Sequence, residues 1–177
     1  MILGSFFGRP PGADAATALY EAVVAQARQP AFYLWCGLPD SLDGRFEMIA
    51  LHSFIVLRRL RALGEAADEV AQIFVDTLVL DLDRSLREMG VGDLGVGKRV
   101  KRMAAGFHGR ITAYDQGLAS GPEELEAALR RNVFGTTSPE PWQVSAMAAY
   151  LRREVEAQPD AGLLAGKLSF GPPPEQG

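Results

Sequence analysis

Apolar residues three and four positions apart recur through most of this 177-residue sequence, and that spacing restricts its fold more than any other feature. No β-branched alternating run and no hairpin dipeptide interrupts it, so a sheet is not expected. The pattern breaks chiefly at glycine and proline. Together these features predict an all-α protein, a single-domain bundle of about six to seven helices that are mostly antiparallel neighbours.

The first helix is expected from a cap at Asp14 to Arg28, with Ala16, Leu19, Tyr20, Val23, Val24 and Ala27 on its apolar side. Pro30 breaks it, and AFYLWCGL should form a turn or two that plugs the core with Phe32, Leu34 and Trp35. A second long helix should start near Ser41 or Asp43 and end at Gly64, burying Phe46, Ile49, Ser53, Val56, Leu57, Leu60 and Leu63. A third runs from Ala66 to Met89, a fourth from between Leu94 and Gly97 to Leu118, a fifth from Pro122 to Asn132, and a sixth from Ser138 and Pro139 to Ala157. Around this helical domain, residues 13–165, lie a flexible N-terminal tail, 1–12, and a glycine- and proline-rich end, 166–177, that reads as disordered.

A net charge of −4 argues against a molecule that wraps nucleic acid, and no DNA partner is expected. The single cysteine, Cys36, excludes an internal disulfide and reads as a small buried hydrophobe. No apolar run approaches the roughly 20 residues of a membrane span, and MILGSFFGRPPG has no basic leader. A reducing, cytoplasmic location is therefore expected.

Gly92 to Lys98 satisfies the G-x-x-x-x-G-K half of a phosphate-binding loop. That loop requires a preceding strand and a following Ser or Thr; here the preceding element reads as a helix and the next residue is Arg99. Gly90 and Gly92 are better explained as a tight turn with positive φ between two helices, with Asp93 capping the second.

Charge remains. From Arg84 to Arg110 lie Arg84, Arg87, Lys98, Arg99, Lys101, Arg102 and Arg110 against Glu88 and Asp93, seven basic residues to two acidic ones in an acidic chain. A solvated helix face would account for an ordinary run of charges, but this density at one helix–helix junction suggests a docking patch for acidic protein, ribosomal RNA or anionic lipid. Asp76 with Asp83 and Asp81 with Glu88 share helix faces, and the nearby arginines make them salt-bridge partners rather than a metal or acid–base pair. His52 reads as a hydrogen-bonded core histidine and His108 as an edge residue. No nucleophile context, metal ligand set or cofactor motif emerges.

The stretches FYLWCGLPDSLDGRFEMIALHSFIVLRRL and DLDRSLREMGVGDLGVGKRVKRMAAGFHGRITAYD, spanning about Phe32 to Leu118, resemble the ubiquinol-cytochrome c chaperone family, the assembly factors of the cytochrome bc1 complex. The most specific block is DRSLREMGVGD with VGKRVKRM. The resemblance implies a helical, non-enzymatic chaperone that binds newly made cytochrome b. It also implies a small partner protein and ribosome contact, as in mitochondrial members, while the short chain suggests a bacterial version peripheral to the inner membrane. On this reading Arg84, Arg87, Glu88, Asp93, Lys98, Lys101 and Arg102 contact client or ribosome, with Tyr114 and Phe107 in support. The alternative is a peripheral membrane- or ribosome/RNA-binding module that uses the same residues without a bc1 client.

Overall fold

The computed structural model describes residues 10–88, 90, 92–157 and 161–175. Seven α-helices follow one another among them: α1 Ala13–Ala27, α2 Pro30–Leu34, α3 Leu42–Arg61, α4 Asp68–Glu88, α5 Asp93–Ser120, α6 Pro122–Asn132 and α7 Pro141–Glu156. Two 3-10 turns, Gly64–Ala67 and Ala161–Ala165, complete the path, and no strand occurs among the described residues.

Helix α3 organises the bundle because it is apolar on more than one side, the mark of a helix buried in a core. Met48, Leu51, Phe54 and Ile55 pack with Phe32, Tyr114, Leu125, Leu129, Val144, Met147 and Leu151 of α2, α5, α6 and α7. Phe46, Ala50, Val56 and Leu60 pack with Leu19, Val23, Phe74 and Leu78 of α1 and α4. The single stripe expected from spacing therefore covers only part of what this helix buries. Ser41 caps it, its hydroxyl accepting the Gly44 amide at 3.1 Å.

Other ends differ from expectation in detail. The cap before α1 is Gly12, in a left-handed conformation at φ 82°, rather than Asp14. Gly90 takes the positive φ, 77°, that turns α4 into α5, whereas Gly92 has an ordinary φ of −59° and itself occupies the cap position, so Asp93 is the first residue of the helix. Met89, where α4 was expected to end, lies outside the described residues. Helix α7 starts later than expected, at a capping box in which Glu140 and Gln143 satisfy each other's backbone amides. Between α5 and α6, Gly117 allows close approach: a Cβ there would lie 2.8 Å from the Leu125 Cα.

His52 is fully buried, as expected. Its Nδ1 lies 2.8 Å from the Met48 carbonyl, which can only accept, so Nδ1 carries the proton and the neutral Nε2 accepts from the Tyr150 hydroxyl at 2.7 Å. Burial holds this imidazole neutral, its pKa lowered to about 4. Cys36 is buried too, and desolvation pushes its thiol up to about 11. Two aromatic and aliphatic plugs expected in the core are instead at the surface: Leu34 is 70% and Trp35 46% exposed, while Phe32 alone of that trio is buried. Five residues cannot all turn inward from a helix as short as α2.

The C-terminal segment does not behave as its composition suggests. The Phe170 ring meets His52 edge-on with centroids 5.0 Å apart. The Gly171 amide donates to Glu154, and the Gly171 carbonyl accepts from Gln26 Nε2 at 2.9 Å. Arg153 reaches the Pro172 carbonyl at 2.6 Å. Residues 170–172 are thus fastened to α1, α3 and α7.

Candidate functional site

Helices α1 and α4 are paired, and along one side of the pair lies a groove of about 740 Å³. From α1 it is lined by Thr17, Tyr20, Glu21, Val24, Ala25 and Arg28, and from α4 by Thr77, Leu80, Asp81 and Arg84. Both sets follow the i, i+3, i+4, i+7 rule, so each is one face of its helix. The faces are mixed because each helix already buries a separate stripe in the core: Leu19 and Val23 on α1, Phe74 and Leu78 on α4.

The groove has an apolar lining and a charged margin. Leu80 is 70% exposed, an isolated leucine with no core neighbour to hide it. Tyr20 is buried at the ring and packs edge-on to Phe74, and its hydroxyl donates to Asp81 Oδ2 at 2.9 Å. Burial, with help from Asp81, raises that phenol far above its usual range, so it is a permanent donor. The second Asp81 oxygen accepts from Arg84 at 2.8 Å. Asp81 and Arg28 also line a smaller cavity of about 270 Å³, walled by Tyr33, Phe46, Leu86 and Met103 with Glu88 at its edge.

The residues singled out from the sequence do not form one patch. Arg84 lines the groove and Glu88 the smaller cavity. Arg87 is paired with Asp83 at 2.6 Å, half exposed, as the i, i+4 spacing leads one to expect. Lys98 and Lys101 are exposed on α5. Arg102 lines a different concavity with Arg99, Arg110 and Arg131. The Asp93 side chain lies outside what is described. Tyr114 cannot serve as a surface contact: it has no exposure, and Phe107 is only 6% exposed, because both face inward from α5.

Sequence reasoning missed Tyr20, Val24, Arg28 and Leu80 as groove residues. Leu80 carried a usable signal, since it falls off the α4 stripe of Phe74, Leu78 and Leu82. The others are indistinguishable from core or solvated positions until α4 is placed beside them.

No helix among the described residues is long and apolar enough to cross a membrane. Residues 35–170 match the family described as ubiquinol-cytochrome C chaperone. The chain is 28% identical over 142 residues to ubiquinol-cytochrome c reductase complex assembly factor 1 of Mus musculus, covering 80% of this chain and 48% of that protein. The Homo sapiens protein of the same name is 27% identical over 162 residues, covering 89% and 54% respectively. The chain thus spans about half the length of these two relatives. Among solved structures, the crystal structure of the Cbp3 homolog from Brucella abortus superposes with a TM-score of 0.78 at 37% identity, covering 90% of this chain and 91% of that one.

Proposed function

The chain belongs to the ubiquinol-cytochrome c chaperone family, whose members assist assembly of the bc1 complex, and from that premise we propose that it binds unassembled cytochrome b through the α1–α4 groove. It acts by holding its client, without catalysis. The observation that carries the location is the exposed Leu80 above an apolar lining bordered by Glu21, Arg28, Asp81 and Arg84. A client of transmembrane helices presents apolar side chains and positively biased cytoplasmic loops. An apolar trough engages the first, and Glu21 with Asp81 meets the second, in the manner of a helix laid in a groove.

The test is co-purification of cytochrome b with tagged full-length chain from cells that make the bc1 complex. Leu80 and Glu21 are exposed, so Leu80→Asp and Glu21→Lys should leave the helical circular dichroism intact. The proposal expects both to lose cytochrome b, while Arg130→Glu, exposed on α6 away from the groove, keeps it. Retention by L80D would refute the groove.

A second reading has its own observation. Lys98 and Lys101 are exposed on α5, as a contact with ribosomal RNA or anionic membrane would need. Charge reversal at Arg87, Lys98 and Lys101 that removes ribosome or membrane association but spares cytochrome b would favour that role for this corner. The surface around Trp35 and Trp142, 46% and 40% exposed and joined through Gln143 to the Trp35 carbonyl, is the place we assign to a small partner protein.

A further inference from the structure

Between α3, α5 and α6 lies a concavity of about 490 Å³ that shares no lining residue with the α1–α4 groove. Arg99, Arg102 and Arg110 enter it from one stripe of α5, and Arg131 from the last turn of α6. Arg110 is not available to a ligand. Glu47 of α3 holds its Nε at 2.6 Å and binds its Nη2 as well, and its guanidinium lies over the Phe46 ring. That bidentate pair is a wall of the pocket, itself little exposed.

The other three arginines differ. Arg99, Arg102 and Arg131 make no ion pair with any described residue, and the cavity offers only Asp43 as a further carboxylate. Three positive charges against one thus converge on one concave site, an arrangement that costs self-repulsion unless an anion enters. Two glycines keep the site open. A Cβ at Gly106 would meet Arg110 Nη1 at 2.8 Å, and one at Gly135 would meet the Arg131 carbonyl at 2.7 Å, so the loop after α6 folds tightly against the pocket.

We propose that this pocket binds a single phosphate group, as a phosphomonoester or as the phosphodiester of an anionic headgroup. Planar guanidinium forks match phosphate oxygens, and the tetrahedral oxygens of a phosphate, three terminal in a monoester and two terminal with two ester oxygens in a diester, meet cations arriving from two helices better than a carboxylate's coplanar pair. The concave shape, closed on one side by the Glu47–Arg110 pair, suits one group rather than an extended polyanion.

The test uses the full chain, with inorganic phosphate in calorimetry and phosphatidylcholine vesicles, with or without phosphatidylglycerol, in flotation. Arg102→Gln/Arg131→Gln removes two pocket cations; Arg130→Gln/Lys167→Gln removes the same charge elsewhere. We expect saturable one-to-one binding that weakens at least about tenfold in R102Q/R131Q and is unchanged in R130Q/K167Q. Pocket-dependent flotation on phosphatidylglycerol identifies a lipid headgroup as the source; phosphate binding without it identifies a soluble phosphate. Binding in neither arm, or equal weakening in both double variants, overturns the site. Pocket-dependent binding of a short RNA in place of either probe overturns the single-phosphate assignment.

Discussion

Tyr114 and Tyr150 are both buried tyrosines beside the same central helix, yet removing their hydroxyls should move stability in opposite directions. The Tyr114 hydroxyl finds no hydrogen-bond partner among the described residues, although its ring is packed 5.4 Å from that of Phe54. A buried donor left unmade costs about 1–3 kcal/mol, while the oxygen itself contributes only slight packing. Tyr114→Phe should therefore stabilise the protein by about 1 kcal/mol, which for a chain of this size is about 2–4 °C in Tm. The Tyr150 hydroxyl donates to His52 Nε2 at 2.7 Å and accepts from Gln26 Nε2 at 3.0 Å. Gln26 keeps its bond to the Gly171 carbonyl, but His52 Nε2 is orphaned, so Tyr150→Phe should cost about 2 kcal/mol. Urea unfolding followed by circular dichroism measures both, and unchanged m-values confirm that the shifts are in stability alone. Destabilisation of Y114F comparable to that of Y150F would mean that the Tyr114 hydroxyl is hydrogen-bonded, and would refute the account of that site. Cytochrome b binding by Y114F should be normal, because Tyr114 has no surface to offer.

Other outcomes follow from the same contacts. His52 is neutral when folded, with its pKa at about 4 against 6.5 for the free side chain, so acid protonates the unfolded chain first; stability attributable to it falls by about 3 kcal/mol as the pH drops from 6.5 to 4. Nitrogen-detected imidazole NMR should show His52 neutral throughout pH 5–7, and a titration midpoint near 6.5 would contradict its burial. Phe170→Ala should cost about 2 kcal/mol in thermal unfolding through lost contact with His52; an unchanged Tm would restore the disordered tail that the composition suggests. Glu47→Gln should cost about 3 kcal/mol by leaving Arg110 without its counter-charge in a site where both are largely buried, whereas Asp83→Asn at the half-exposed Arg87 pair should cost under about 0.5 kcal/mol in the same melts.

Much of the fold was legible because helices announce themselves by spacing and punctuation. Pro122 opens α6 and Asn132 ends it where the sequence suggests, and Gly90 turns α4 into α5. What spacing conceals is how many sides of a helix are covered. Met48, Leu51, Phe54 and Ile55 fall off the expected stripe of α3 because they face a second layer that only tertiary packing supplies. The C-terminal segment misleads for a related reason: Gly171 and the prolines look disordered, yet Phe170 has an aromatic slot and Glu154 a carboxylate waiting for a backbone amide. Charge density between residues 84 and 110 was equally legible, but not its division. Local pairing ties Arg84 to Asp81 and Arg87 to Asp83, Glu47 of a distant helix takes Arg110, and Arg102 lines a concavity with Arg131 of α6. The groove was hidden because its floor consists of half-covered positions on two helices far apart in sequence, as the bond between Tyr20 and Asp81, 61 residues apart, illustrates.

Holding a bc1 subunit in the α1–α4 groove during assembly is the role proposed for this chain. It is tested most directly in a strain lacking the chain, by measuring assembled bc1 complex through its haem difference spectrum and native gel migration, with complementation by wild type or L80D. Loss of assembled complex with cytochrome b transcript intact, rescue by the wild type and no rescue by an equally abundant L80D are expected. Normal bc1 levels in the deletion strain, or full rescue by L80D, would contradict it.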